Sequence, residues 1–387
     1  MKKHIYFDNA ATTFIDTAVL NEMIPFLTDY YGNPSSIYEY SSIPVKAISL
    51  ARERVSQSIG ANAGEIYFTS GGSESNNWAI IGSALKNSHK GKHIITSKIE
   101  HHAVLHAFEY LEKRHGFSVS YIDVDSDGFL NLDQFKNSLK NETILVSIMM
   151  ANNEIGTILP IKEISKIVKD FNKSILVHTD AVQAFGNIPV DVNDLGIDLL
   201  TITAHKIYGP KGVGALYIKK GVVIDNLIHG GGQEKGKRAG TENVIGIVGF
   251  GKASEIATDN LEVKSKTIAD LRDYLFSRVI GEIPEIIING SRENRLPGNV
   301  NFSIKRIEGE ALILSLDHFG ISCSSGSACT SGSLDPSHVL LALGLDHGTA
   351  HGSLRISLGK NNTREEVDFF VDRLKEITEK LRLISPL

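Results

Sequence analysis

One lysine and one aspartate stand where apolar runs end. In DLLTITAHKIYGPKGVG, Lys206 follows a run that reads as a buried strand and precedes a glycine-rich turn. Burial lowers an ammonium pKa, which suits an imine-forming amine; a lysine at such a place can equally reach out to solvent along its stem. In SILVHTDAVQ, Asp180 closes the run. A carboxylate there can pair with a pyridinium nitrogen or cap the helix that follows. FTSGGSESNN sets Gly71, Gly72 and Ser73 ahead of a helix, where free amides and the helix N-terminus favour an anion such as a phosphate. It is neither a P-loop nor a GxGxxG fingerprint. After HIITSKIE come His101 and His102; a histidine at a strand end can stack on a flat ring or shuttle protons. His102 and His106 share the i,i+4 spacing of metal ligands, but no HExxH and no cysteine pair accompanies them. No metal site is expected, and the two read as helix surface. Together an amine, a carboxylate, an anion turn and a ring-facing histidine supply what a pyridoxal 5'-phosphate (PLP) enzyme needs.

A second feature does not belong to that set. The chain has two cysteines, and one of them, Cys329, lies in SSGSACTSGS among Ser, Gly, Ala and Thr. A thiol kept for packing sits among apolar neighbours. A thiol on a run of small residues is free to swing, and as thiolate it is a nucleophile. Cys323, six residues earlier, ends an apolar run and reads as part of a buried strand.

The elements that must position these residues follow an α/β pattern. Short apolar runs at 65–70, 93–97, 143–152, 174–181, 198–204 and 214–218 alternate with amphipathic stretches such as 103–114 and 161–170. Such alternation predicts a mostly parallel sheet with helices on both faces, with ligands at the carboxyl ends of its strands. Residues 250–280 read as one long helix, and the remainder as a smaller α+β domain. The domain reading is 15–258 for the large domain, with 1–14 and 259–387 forming the small one, which carries the Cys329 loop at about 322–334.

The totals agree with an ordinary globular chain of 387 residues, 42% hydrophobic and 22% charged. The net charge of −5, without a basic run, argues against nucleic acid. Two cysteines without a CxxC fit a reducing, cytoplasmic compartment. Asp8 interrupts any leader-like apolar stretch, and no uncharged run reaches the length of a membrane helix.

Beyond these residues, YFDNAATT, YGNPSS, IEHHAVL, MMANNEIGTI, GGGQEKGKRAGTEN, SSGSACTSGSLDPSHVL and GSLRISLG run through most of the chain. In them the sequence closely resembles the cysteine desulfurases, class V aminotransferase relatives of PLP fold type I, and most of all the nitrogen-fixation-type branch. The resemblance implies that Lys206 carries the cofactor as a Schiff base and that Asp180 holds the pyridinium nitrogen. Gln183 and Asn153 would lie near the phenolic oxygen. His101 would stack on the ring and act as acid/base, and Gly72, Ser73, Thr203 and His205 would bind the phosphate. Thr241 would reach the phosphate of a partner subunit, which implies a homodimer. Arg355 and Asn33 would take the substrate carboxylate, although by themselves they read as a surface and a turn residue. Cys329 would attack the sulfur of bound L-cysteine and carry it as a persulfide, releasing L-alanine. The acceptor implied is an iron–sulfur scaffold protein, with tRNA thiolation and cofactor pathways also open. A selenocysteine lyase, or another PLP-dependent lyase or aminotransferase, is the other reading, and dependence on Cys329 separates them. Tyr38, Ser41 and Lys235 depart from residues frequent in the family, at the substrate entrance and dimer edge.

Overall fold

The computed structural model describes residues 4–325 and 336–384. Chain entry is a short strand, β1 (Ile5–Tyr6). The central sheet follows: β2 (Ile66–Thr69), β3 (His93–Ser97), β4 (Ser118–Ile122), β5 (Thr143–Ser147), β6 (Leu176–Asp180), β7 (Leu199–Thr203) and β8 (Gly214–Ile218). Their order across the sheet is β2-β8-β7-β6-β5-β3-β4, and β8 alone runs antiparallel to its neighbours. Every residue of β3, β5, β7 and β8 is buried, as expected where helices cover both faces of a sheet. The helix Ile161–Phe171 shows how: Ile161, Ile164, Ser165 and Val168, one stripe at helical spacing, are its buried residues. β4 is half-exposed at three of its five positions, which keeps it from reading as an apolar run.

A polar rung crosses the sheet interior. His178 on β6 bonds Ser147 on β5 at 2.8 Å and Thr201 on β7 at 3.0 Å. Burial holds its pKa down at about 3, so the ring is neutral.

The second structural unit has its own sheet, β9 (Ile286–Ile288), β10 (Asn299–Ile304) and, after β11 (Ile321–Ser322), β12 (Ser353–Ser357), in the antiparallel order β12-β10-β9. Its core joins Phe276, Phe302, Leu312, Leu354 and Phe370 to Ile5 and Phe7 from the N-terminus. β1 enters that core by pairing in parallel with β11. The stretch 250–280 is not one helix. It is divided between Val244–Thr258 and Leu261–Glu282, broken where Asp259 turns extended and Asn260 adopts φ 50°. Asparagine tolerates that left-handed conformation better than other non-glycine residues, so a helical pattern can run on through a backbone that does not.

Candidate active site

The carboxyl ends of β2, β3, β5, β6 and β7 open on one cavity of about 280 Å³. β7 passes directly into a 3₁₀ turn, Ala204–Lys206, which sets Lys206 in the cavity wall. Its Nζ donates to the carbonyls of Ala10 and Ala11, the latter at 2.7 Å. Gln183 Nε2 donates to the same Ala10 carbonyl at 3.0 Å. The DNAATT segment thus presents backbone acceptors to the amine, a role with no side-chain signal to announce it.

Asp180, at the end of β6, is buried and lines the same cavity. Its Oδ1 accepts from the Val182 amide at 2.9 Å and its Oδ2 from Asn76 Nδ2 at 2.6 Å. The first bond is the local turn expected of a capping aspartate; the second crosses from the helix that begins at Gly72. Sequence reasoning missed Asn76. The available signal is its place four residues after Gly72, which puts both on one helix face.

That helix follows a tight turn in which Gly71 has φ +153°, a conformation side chains rarely adopt. Gly72 and Ser73 line the cavity, and the first amides of a helix have no intrahelical acceptor. Helix Gly72–Asn77 continues through a π-helical segment, Trp78–Gly82, into Ser83–Asn87. Thr203 and His205 also face the cavity. Thr203 Oγ1 donates to the Val213 carbonyl at 3.0 Å, and His205 Nδ1 lies 3.1 Å from Thr12 Oγ1. Burial, with Lys206 and Lys211 adding to it, holds His205 down at about 4.

His101 caps the helix His102–His115, its Nδ1 accepting from the Ala103 amide at 3.1 Å, with the ring in the cavity wall. Burial lowers its pKa; Lys206 and His106 push the same way, and Asp180 opposes them. His102 is half-buried against His338, ring centroids 4.7 Å apart, and is held down at about 4 by burial and that neighbour. It is more than the surface residue its helix position suggests; His106 is exposed. Among the described residues no cluster of three or more His, Cys, Asp or Glu side chains is arranged to hold a metal ion.

Arg355 arrives from β12, on the second unit. Its Nη1 donates to the Asn153 carbonyl at 3.0 Å, its Nη2 pairs with Asp8 at 3.0 Å, and its Nε is buried without a partner. Asn153 also lines the cavity. Ser324 and Arg355 exchange two backbone bonds, 2.6 and 3.2 Å.

Two expected site residues lie outside this cavity. Asn33 is exposed in a turn, its side chain accepting from the Ser35 amide at 2.9 Å, and it does not line the cavity. Thr241 lines a different cavity, beside Glu234 and Arg238. Cys329 lies outside the described residues. Cys323 follows β11 partly buried against the second core, and burial, with Asp8 and Asp317, pushes its thiol up to about 12; such a thiol stays protonated and inert at neutral pH.

A mostly parallel sheet with an amine, a doubly hydrogen-bonded carboxylate and an amide-rich turn at its strand ends defines the PLP-dependent enzymes of fold type I. Comparison with known proteins narrows this. Residues 5–370 match the model of the aminotransferase class-V family. The chain is 57% identical to the cysteine desulfurase IscS of Clostridium botulinum (strain Hall), over 100% of this chain and 97% of that one. It is 54% identical to the cysteine desulfurase IscS of Methanosarcina thermophila, over 100% and 94%. Among solved structures, a NifS-like protein superposes with a TM-score of 0.92 at 43% identity, covering 98% of this chain and 100% of that one. SspA in complex with cysteine superposes at 0.81 with 37% identity, covering 93% and 100%. The chain therefore belongs to the cysteine desulfurases of the aminotransferase class-V family, whose cofactor is PLP. The residues present fit that group. The cavity combines Lys206, Asp180, the glycine turn and a neutral His205; Asn76 lines it with an Oδ1 that is buried and unpartnered.

Proposed function

We propose that the cavity binds PLP through Lys206, Asp180, Gln183, Asn153, Gly72, Ser73, Thr203 and His205, and that the enzyme converts L-cysteine to L-alanine with transfer of sulfur to Cys329. When bound, PLP supplies an electron sink for charge developing at the substrate Cα. Lys206 is the amine that holds the cofactor and then moves the Cα proton. Asp180, with a donor on each oxygen, is held in place to pair with the ring nitrogen. His101, neutral at its depressed pKa, receives or returns a proton on the substrate side. Arg355 takes the substrate carboxylate, a task for which a guanidinium fork is suited; Asn33, standing outside the cavity, has no part in this reading. The Cys329 thiolate attacks the substrate sulfur. The new S–S bond forms as the carbon–sulfur bond breaks, its electron pair remains on Cβ, and protonation there yields alanine and a Cys329 persulfide.

The observation that favours a desulfurase over a plain aminotransferase is where the chain enters and leaves 326–335. Ser324 is bridged to Arg355, and Ser337 is hydrogen-bonded to Glu154, next to the cavity-lining Asn153. A sequence carrying a thiol thus starts and ends at the groups assigned to the substrate.

The reading includes a homodimer. Thr241 lies away from this chain's own cavity, and many large apolar side chains of the segment 14–50 are exposed, Tyr31 and Ile37 among them, as is common where a surface meets a partner. It also includes the division into 15–258 and 1–14 with 259–387, and delivery of sulfur to an acceptor such as an iron–sulfur scaffold protein. No helix among the described residues is long and apolar enough to cross a membrane.

The test is to give the purified protein L-cysteine and a thiol reductant and to follow the visible spectrum, sulfide and alanine together. Equal sulfide and alanine from a yellow protein are expected. Cys329→Ala should keep the colour and lose both products, and Lys206→Ala should lose the colour. Product formation by Cys329→Ala would remove the thiol from the mechanism.

A further inference from the structure

Glu154 is buried beside the site and has no part in the chemistry above. It sits in the turn after β5, where nearly every polar group is tied down. Its amide and that of Ile155 donate to Asn152 Oδ1 at 2.8 and 3.0 Å. Its carbonyl accepts from the side chains of Asn299 and Asn301 on β10, both at 3.0 Å. Asn301 is the register partner of Arg355 on β12, and Arg355 in turn bonds the Asn153 carbonyl. The backbone of this turn is therefore fixed against the second unit at the residue assigned to the substrate carboxylate.

Its side chain points to a different element. Ser337 donates its hydroxyl proton to Glu154 Oε2. The same hydroxyl oxygen accepts from the Val339 and Leu340 amides, at 3.1 and 3.3 Å, and so caps the helix His338–Ala342. His338 makes a second tie, its Nε2 lying 2.9 Å from the Glu100 carbonyl just before His101. A buried carboxyl costs free energy unless it serves a bond. Burial pushes Glu154 up to about 7, while Ser337 and Arg355 pull it down.

We infer that Glu154 is a positioning residue: through Ser337 it registers the start of helix His338–Ala342, nine residues after Cys329, against Arg355 and the substrate carboxylate. The inference rests on the desulfurase reading and deepens it. Glu154 touches no reacting atom. Its effect is on how often the thiol meets the substrate sulfur in a productive geometry, a term to which catalysis is sensitive.

The experiment separates binding from sulfur transfer in the PLP-loaded enzyme. The spectral change on mixing with L-cysteine gives the affinity, and mass spectrometry of rapidly quenched samples gives the rate of persulfide formation on Cys329. Glu154→Ala and Ser337→Ala should each slow the persulfide step about tenfold, the size of one lost hydrogen bond, with cysteine affinity within about twofold of wild type. The double variant should be no slower than Ser337→Ala alone, because Ser337→Ala, which also loses the helix cap, has already removed the one contact that Glu154→Ala removes. Glu154→Gln and Ser337→Thr, which keep an acceptor and a hydroxyl, should restore the rate. Wild-type transfer in both alanine variants would overturn the inference. So would a parallel loss of affinity, colour and transfer, which would make the contact merely structural. If Glu154→Ala does not fold, Ser337→Ala against Ser337→Thr decides the matter. A wild-type enzyme that formed no persulfide would instead sink the desulfurase reading itself, before any variant is compared.

Discussion

At the residue scale, the site turns on how Asp180 is held. The carboxylate proposed for the cofactor nitrogen needs donors to hold it, and here it has two, the Val182 amide and Asn76 Nδ2. The amide comes with the turn and cannot be mutated away; Asn76 can. Hydrogen bonds to charged groups are worth about 1.5–3 kcal/mol. Asn76→Ala should therefore weaken PLP binding to the apoenzyme by about tenfold or more in a fluorescence titration, while leaving the far-ultraviolet circular dichroism intact. Asn76→Asp should do more. A second carboxylate that close to Asp180 cannot share full ionisation with it, so the visible band of the loaded enzyme should become pH-dependent. A pH-independent band in Asn76→Asp would mean that Asp180 does not govern the ring nitrogen. The sequence could name Asp180 because it ends an apolar run. It could not name Asn76, whose role comes from the packing of one helix across the sheet.

At the scale of elements, the site exists because five strands end together and one runs backward. The antiparallel β8 begins at Gly214, opposite both Thr69 of β2 and Thr203 of β7. A Cβ added there would lie 2.8 Å from the Gly71 backbone and 2.9 Å from the Ile202 carbonyl. Backbone cannot step aside as a side chain can. Gly214→Ala should cost about 1–3 kcal/mol through overpacking, seen as a lower Tm, and should weaken PLP binding because the displaced segment is the glycine turn. Gly281→Ala, in the helix Leu261–Glu282 with nothing within 4 Å of its added carbon, is the control and should stabilise by about 0.5–1 kcal/mol. Equal effects of the two substitutions would refute the argument. The central-sheet strands other than β4 were legible in the sequence because burial on both faces writes continuous apolar runs. The break at Asn260 was not, since a left-handed asparagine leaves the helical pattern around it unaltered. Nor was the place of Arg355, whose partners Asp8 and Asn153 lie hundreds of residues away in sequence.

At the scale of the whole molecule, burying titratable groups next to the cavity ties stability to pH. Glu100, between β3 and His101, is fully buried; its Oε1 accepts from Ser97 and the Met149 amide at 2.6 and 3.0 Å, and its Oε2 has no partner. Burial pushes its carboxyl up to about 8, with Asp180 adding to the shift. The folded state thus binds a proton that the unfolded chain releases near pH 4.5. Stability contributed by that proton is present below the unfolded value and is lost as pH rises through the folded one. Glu154 acts in the same direction up to about 7. His178, held at about 3, does the opposite, since the fold keeps it neutral and gains stability as pH rises towards 6.5. From about 4.5 to 6.5 the buried carboxyls and the depressed histidines, His102 and His205 with His178, act in opposite directions; above 6.5 only the carboxyls remain. The PLP-loaded enzyme should therefore lose Tm between pH 6.5 and 8.5. Glu100→Gln, isosteric with the protonated acid and unable to ionise, should remove most of that slope. The cost at pH 8.5 is on the order of 4 kcal/mol, equivalent to about 5 °C in a chain this long, and the two proteins should melt together near pH 5. Differential scanning calorimetry at fixed PLP measures both curves. Parallel curves across the whole range would mean that Glu100 is ionised inside the fold.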